Sequence, residues 1–158
     1  MSLTSDDQTP ADPNEETDET PADSRRGARQ TALQALYWAT STTEAPQQAV
    51  RELSRRFRHS EENTAFAASL VRAVCEHRTE LDQMIAAAGA RWTLDRMARL
   101  DALILRLALA EILHITGVPV RVSIYEAVEL ARLYSTANSY AFVNGVLDAI
   151  VRQHGIEA

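Results

Sequence analysis

Apolar residues recur along the chain with a period near 3.6, except between residues 100 and 115, where they leave any single stripe. There Leu100, Leu103, Ile104 and Leu107 mark one side of a helix, and Leu105, Leu109, Ile112 and Leu113 cover much of the rest. The stretch contains no Gly or Pro and is rich in the helix formers Ala, Leu, Arg and Glu. A helix that is apolar nearly all round belongs inside a bundle, so the other helices are expected to lean on this one. It is too short and, with Asp101, Arg106 and Glu111, too charged to cross a membrane.

The flanking segments keep one apolar face each. Ser24 reads as an N-cap for a helix to about residue 40, with Ala28, Ala32, Leu33, Leu36 and Tyr37 on its stripe. A second helix is predicted over 47–58 through Val50, Leu53 and Phe57. Ser60 and the acids behind it open a third, long helix, predicted to run unbroken through Phe66, Leu70, Val74, Leu81 and Ile85 until Gly89 stops it. Trp92 and Thr93 reopen the chain, and a short turn over 94–99 leads into the central helix. Gly117 and Pro119 end the central helix. Residues 123–135 follow as an amphipathic helix, with Ile124, Ala127, Val128, Ala131 and Tyr134 inward and Glu126, Glu129 and Arg132 on a polar flank. The last helix spans 139–153. Asn144-Gly145 could signal a hairpin, but apolar residues at helical spacing lie on both sides, so Gly145 stays helical and implies a close contact with a backbone or ligand. No strand pattern survives, and the expectation is an all-α bundle of six or seven helices.

Charge divides the chain. Residues 1–23 hold eight of the 22 acids and no base, while the other 14 acids face 16 arginines. An acidic tail this poor in large apolar groups is expected to be disordered, ahead of a mildly basic helical domain over 24–155. The chain has no lysine. That preference fits genome composition or a salty cytoplasm as well as it fits phosphate recognition by the planar guanidinium fork. Position is more informative. Arg25, Arg26 and Arg29 stand in the first turns of the first helix, an end that is already electropositive, and three cations there make sense if an anion is to be bound. Asn138, Ser139, Tyr140 and Phe142 sit at the start of the last helix, a second place where free backbone N–H groups can meet phosphate.

Other chemistry finds little support. His59, His77, His114 and His154 have no HExxH or CxxC companions, so no metal is expected, and no cofactor motif is present. Cys75 and His77 are two apart on a helix and cannot face each other, and Cys75 reads as a small core residue. The single cysteine and the lack of a signal-like segment suit a reducing cytoplasm. Nothing asks for an enzyme.

The segment 118–132, VPVRVSIYEAVELAR, followed by NSYAFVNGVLD over 138–148, resembles the NusB transcription antitermination factors. Arg25 to Tyr37 is similar to that family's arginine-rich opening helix, and residues 103–112 to its core helix. The resemblance spans about residues 25–152. It implies two small helical bundles and a noncatalytic RNA-binding protein. With NusE, a small-subunit ribosomal protein, such a factor binds boxA-type single-stranded RNA in rRNA transcripts, docks on RNA polymerase and suppresses premature termination. By the same resemblance Asn138 and Phe142 are the stronger RNA contacts at the last helix, and Tyr37 and Asp101 match positions used toward NusE. Phe142 could equally be core and Tyr37 half-buried packing. Some members pair with themselves and cover the RNA face. NusB-like modules also precede rRNA methyltransferases, but no glycine-rich cofactor motif follows here and an intact methyltransferase is not expected. A helical adaptor that binds only protein is the remaining alternative.

Overall fold

The computed structural model describes residues 20–89 and 93–157. The expected acidic tail through residue 19 and the turn at Trp92 lie outside the described residues. Among those described there are seven α-helices, one 3-10 turn (Leu94–Arg96) and no strand. The helices are α1 (Arg25–Ser41), α2 (Pro46–Arg56), α3 (Glu61–Glu76), α4 (Arg78–Ala87), α5 (Arg99–His114), α6 (Val120–Tyr134) and α7 (Ser139–Gln153). No described helix is long and apolar enough to cross a membrane.

Two bundles share α5. On one side α1, α2 and α3 pack on one another, and α1 and α3 also pack on α5. On the other side α4, α6 and α7 surround α5. From Asp101 to Glu111 every residue of α5 except Arg106 is buried. Burial of each large aliphatic side chain contributes about 1.5–3 kcal/mol, which makes α5 the main apolar contributor to both bundles. Its two acids are buried as well, a cost that only partners can offset.

The long third helix expected from the sequence is two helices. At His77 the backbone takes φ −112° and ψ 16°, and the chain turns a corner. The ladder survives the corner, because the His77 N–H donates to the Ala73 carbonyl at 3.1 Å and the His77 carbonyl accepts from Leu81 at 2.9 Å. The reason for the break is tertiary. α3 belongs to the first bundle and α4 to the second, and the His77 ring stacks on His114 at the end of α5, 3.6 Å between centroids.

One glycine behaves differently from expectation, and a second is unexpectedly constrained. Gly145 lies exposed in α7 with nothing within 4 Å of an added Cβ, so the close contact inferred from the sequence is absent within this chain. Gly27 is the tight one, since a Cβ there would stand 1.7 Å from the Ala22 carbonyl oxygen. The chain ahead of α1 crosses its first turn at that point. Ser24 caps the helix by accepting from the Gly27 N–H at 3.0 Å. Asp23 accepts from the Ser60 N–H at 2.9 Å and from the Asn63 side-chain amide at 2.8 Å. Pro21 is buried. Cys75, expected in the core, is exposed.

Candidate nucleic-acid interface

Arg25 and Arg29, four residues apart, share one face of α1, where both guanidiniums lie over the Phe66 ring, while Arg26 is turned about 100° away from Arg25. Arg25 is open. Its guanidinium donates to Glu62 Oε1 at 2.9 Å and Asn63 Oδ1 at 2.8 Å, and lies 4.7 Å from the centroid of the Phe66 ring. Arg26 faces α6 and meets Glu126 through two bonds of 3.1 Å each. Those bonds raise its pKa further above the ordinary arginine value, while 52% of its side chain remains exposed. Glu126 was expected on a solvated flank. It is instead buried, because it is the acceptor for Arg26.

Arg29 points inward. Its side chain is 7% exposed, and its Nε and Nη2 both donate to Glu111 Oε1 of α5, at 2.8 and 2.6 Å. The sequence placed Arg29 among the RNA contacts. As folded, its guanidinium is committed to the core, because Glu111 would otherwise be a buried unpaired charge.

The start of α7 divides in the same way. Asn138 is exposed, and its side chain makes no cap bond to α7. Ser139 is buried. Its hydroxyl bonds Asp101 Oδ2 at 3.1 Å and shares Asp101 with Ser135, whose hydroxyl donates to Oδ1 at 2.6 Å. Asp101 was expected to face a partner protein. It is buried, and its carboxylate is taken up by the α6–α7 connection. Phe142 is half-buried and packs on the core. Tyr37 is 44% exposed at the end of α1, beside Trp38 at 55%.

A groove of about 280 Å³ lies between α1 and α6. Arg26, Gln30, Glu129, Arg132 and Leu133 line it. At its far end Arg132 lies over the Tyr140 ring of α7, 4.0 Å from the centroid. Sequence reading left Arg132 on a polar flank and missed Gln30. No periodicity links a residue of α6 to one eight positions on, across a loop. The groove therefore presents two guanidinium groups, each beside a carboxylate (Glu126 and Glu129), and an amide, with Arg132 reaching from it to the Tyr140 ring. These are the group types that hold phosphates, base edges and base faces.

Comparison with known proteins places this geometry. A family model described as NusB family matches residues 26–152. The chain is 43% identical over 137 residues to the transcription antitermination protein NusB of Symbiobacterium thermophilum, covering 82% of this chain and 90% of that one. It is 44% identical over 127 residues to the same-named protein of Anaeromyxobacter dehalogenans, covering 80% and 89%. Among solved structures, NusB of T. maritima superimposes with a TM-score of 0.76 at 31% identity, over 82% of this chain and 92% of that one. NusB from a complex of the antitermination factors NusB and NusE with dsRNA superimposes with a TM-score of 0.74 at 28% identity, over 82% and 96%.

Proposed function

The chain belongs to the NusB family, and from that premise we propose that it is a noncatalytic RNA-binding transcription antitermination factor. It binds boxA-type RNA of rRNA transcripts together with NusE, and the pair acts on RNA polymerase in the cytoplasm to suppress premature termination. The observation that carries this reading is the open α1–α6 groove, with Arg26 at one end and Arg132 on Tyr140 at the other. Arg25, Arg26 and Arg132 supply phosphate contacts, Asn138 and Gln30 supply amides, and Tyr140 with Phe142 supplies aromatic surface. Arg29 and Ser139 act one layer down, holding α1 and α7 in place. NusE docks on the Tyr37–Trp38 end of α1, with Asp101 supporting α7 from inside. Self-association that covered the groove would compete with RNA.

The complex among the structural neighbours holds double-stranded RNA, so the test includes both forms. Single-stranded boxA RNA, a scrambled strand and a boxA duplex are titrated against the chain with and without NusE, across a salt series. The boxA single strand with NusE is expected to bind tightest, because unstacked bases are what an amide and aromatic groove can read. Arg26→Ala and Arg132→Ala should each weaken binding and reduce the salt slope by about 0.7. Equal affinity for boxA and scrambled RNA, or unaltered slopes in both variants, would refute the reading.

A further inference from the structure

The corner between α3 and α4 gathers residues that the RNA reading does not use. His77 forms the corner, Glu80 lies in the first turn of α4, and His114 is the last residue of α5. One ligand atom from each lies within 4.8 Å of the others. His77 Nδ1 stands 3.4 Å from Glu80 Oε2, and His114 Nε2 stands 3.6 Å from the same oxygen. Both separations exceed the usual N–H···O range of about 2.7–3.2 Å. His114 Nε2 is also shielded from solvent with no hydrogen-bond partner, a costly state for a polar atom.

From this we infer a divalent transition-metal site formed by His77, Glu80 and His114, with zinc the best-matched ion. Ligand atoms at about 2.0–2.2 Å from a tetrahedral zinc stand about 3.3–3.6 Å from one another, the spacing seen between Glu80 and each imidazole. Two imidazoles and one carboxylate suit zinc, cobalt or nickel and disfavour magnesium and calcium, which take oxygen ligands. Glu80 is exposed, so water completes the coordination. The two rings are stacked within 8° of parallel, so their in-plane lone pairs lie in parallel planes and do not converge on one point as the rings stand. Loading therefore turns the rings toward each other about their side-chain torsions. A bound ion ties the α3–α4 corner to the end of α5 and stabilises the junction of the two bundles. The site shares no residue with the proposed RNA groove, so either can fail alone.

The test uses tag-free, metal-stripped full-length protein. Zinc at a hundredfold excess over its dissociation constant should raise the melting temperature by about 5–10 °C. Cobalt(II) should give the visible bands of a four-coordinate ion without a thiolate charge-transfer band. Glu80→Gln, on the exposed surface, should weaken zinc binding about tenfold or more, and His114→Gln should abolish the shift. Cys75→Ser and His154→Gln should leave it intact. The site is refuted if zinc produces no shift, if the shift survives in both Glu80→Gln and His114→Gln, or if it disappears in Cys75→Ser.

Discussion

The central helix carries a buried carboxylate near each end, and the two ends hold their neighbours by different chemistry. At the C-terminal end Glu111 meets a full positive charge, Arg29 of α1, in a nearly dry setting. At the N-terminal end Asp101 meets only hydroxyls, those of Ser135 and Ser139. The ten residue steps from Asp101 to Glu111 rise about 15 Å, so α5 acts as a spacer with one anchor for each candidate RNA-facing helix start. The first anchor depends on charge neutralisation and tolerates no loss of either partner. The second depends on hydrogen-bond geometry and tolerates partial substitution. Buried ionic and neutral anchors thus sit beneath the proposed RNA surface and should fail differently.

Removal of one ionic partner is the most severe way to break the contrast. Arg29→Ala strands Glu111 in the core and should cost about 3–5 kcal/mol in urea unfolding. Arg29→Met with Glu111→Leu should recover most of that loss, whereas an equally damaged double variant would show that the packing, not the charge, mattered. At the other end Asp101→Ala removes the carboxylate that Ser135 and Ser139 share, but those hydroxyls keep each other and Thr136 as partners, so it should cost less, about 1–3 kcal/mol, with Asp101→Asn milder still. A loss at Asp101 as large as at Arg29 would erase the distinction. Arg26 sharpens it from outside. Its own side chain is half exposed but Glu126 beneath it is only 12% exposed, so Arg26→Ala should cost about 1–2 kcal/mol, less than Arg29→Ala, while still weakening RNA binding. The smallest effect expected is from Asn138→Asp. An acid at a helix start is neutral to slightly stabilising, but it faces the proposed phosphate path, so melting should hold or rise while RNA affinity falls at low salt. Equal RNA affinity of the two forms would take Asn138 out of the interface.

Much of the fold was legible because each helix but α5 shows one apolar face, and α5 identifies itself by showing none. The break at His77 was not legible. No Gly or Pro marks it, and the apolar spacing runs through it, since α3 and α4 each need an inward face even though they pack in different bundles. At the site, the residue type of the arginine trio was readable and its division was not. What separates Arg29 from Arg26 is the location of Glu111 and Glu126, 82 and 100 residues away. Asp101 and Ser139 illustrate the same limit, because each looks like a surface polar residue until the other is placed beside it. Gly27 is required by the backbone that crosses it, and nothing local in the sequence marks that crossing.

That crossing has a consequence under acid. The strap of residues 20–24 is fastened at Asp23, whose pKa is held below its ordinary value of 3.8 chiefly by the Asn63 amide and then by the Ser60 N–H. A carboxyl whose folded pKa is depressed contributes fully above its ordinary value, and its contribution fades as pH falls through the lowered one. Acid strong enough to carry the pH from 3.8 down through that lowered value should therefore unbuckle the strap. The protection of the Ser60 amide relative to its intrinsic exchange would then fall, and Asp23→Asn should show that lower protection already at neutral pH.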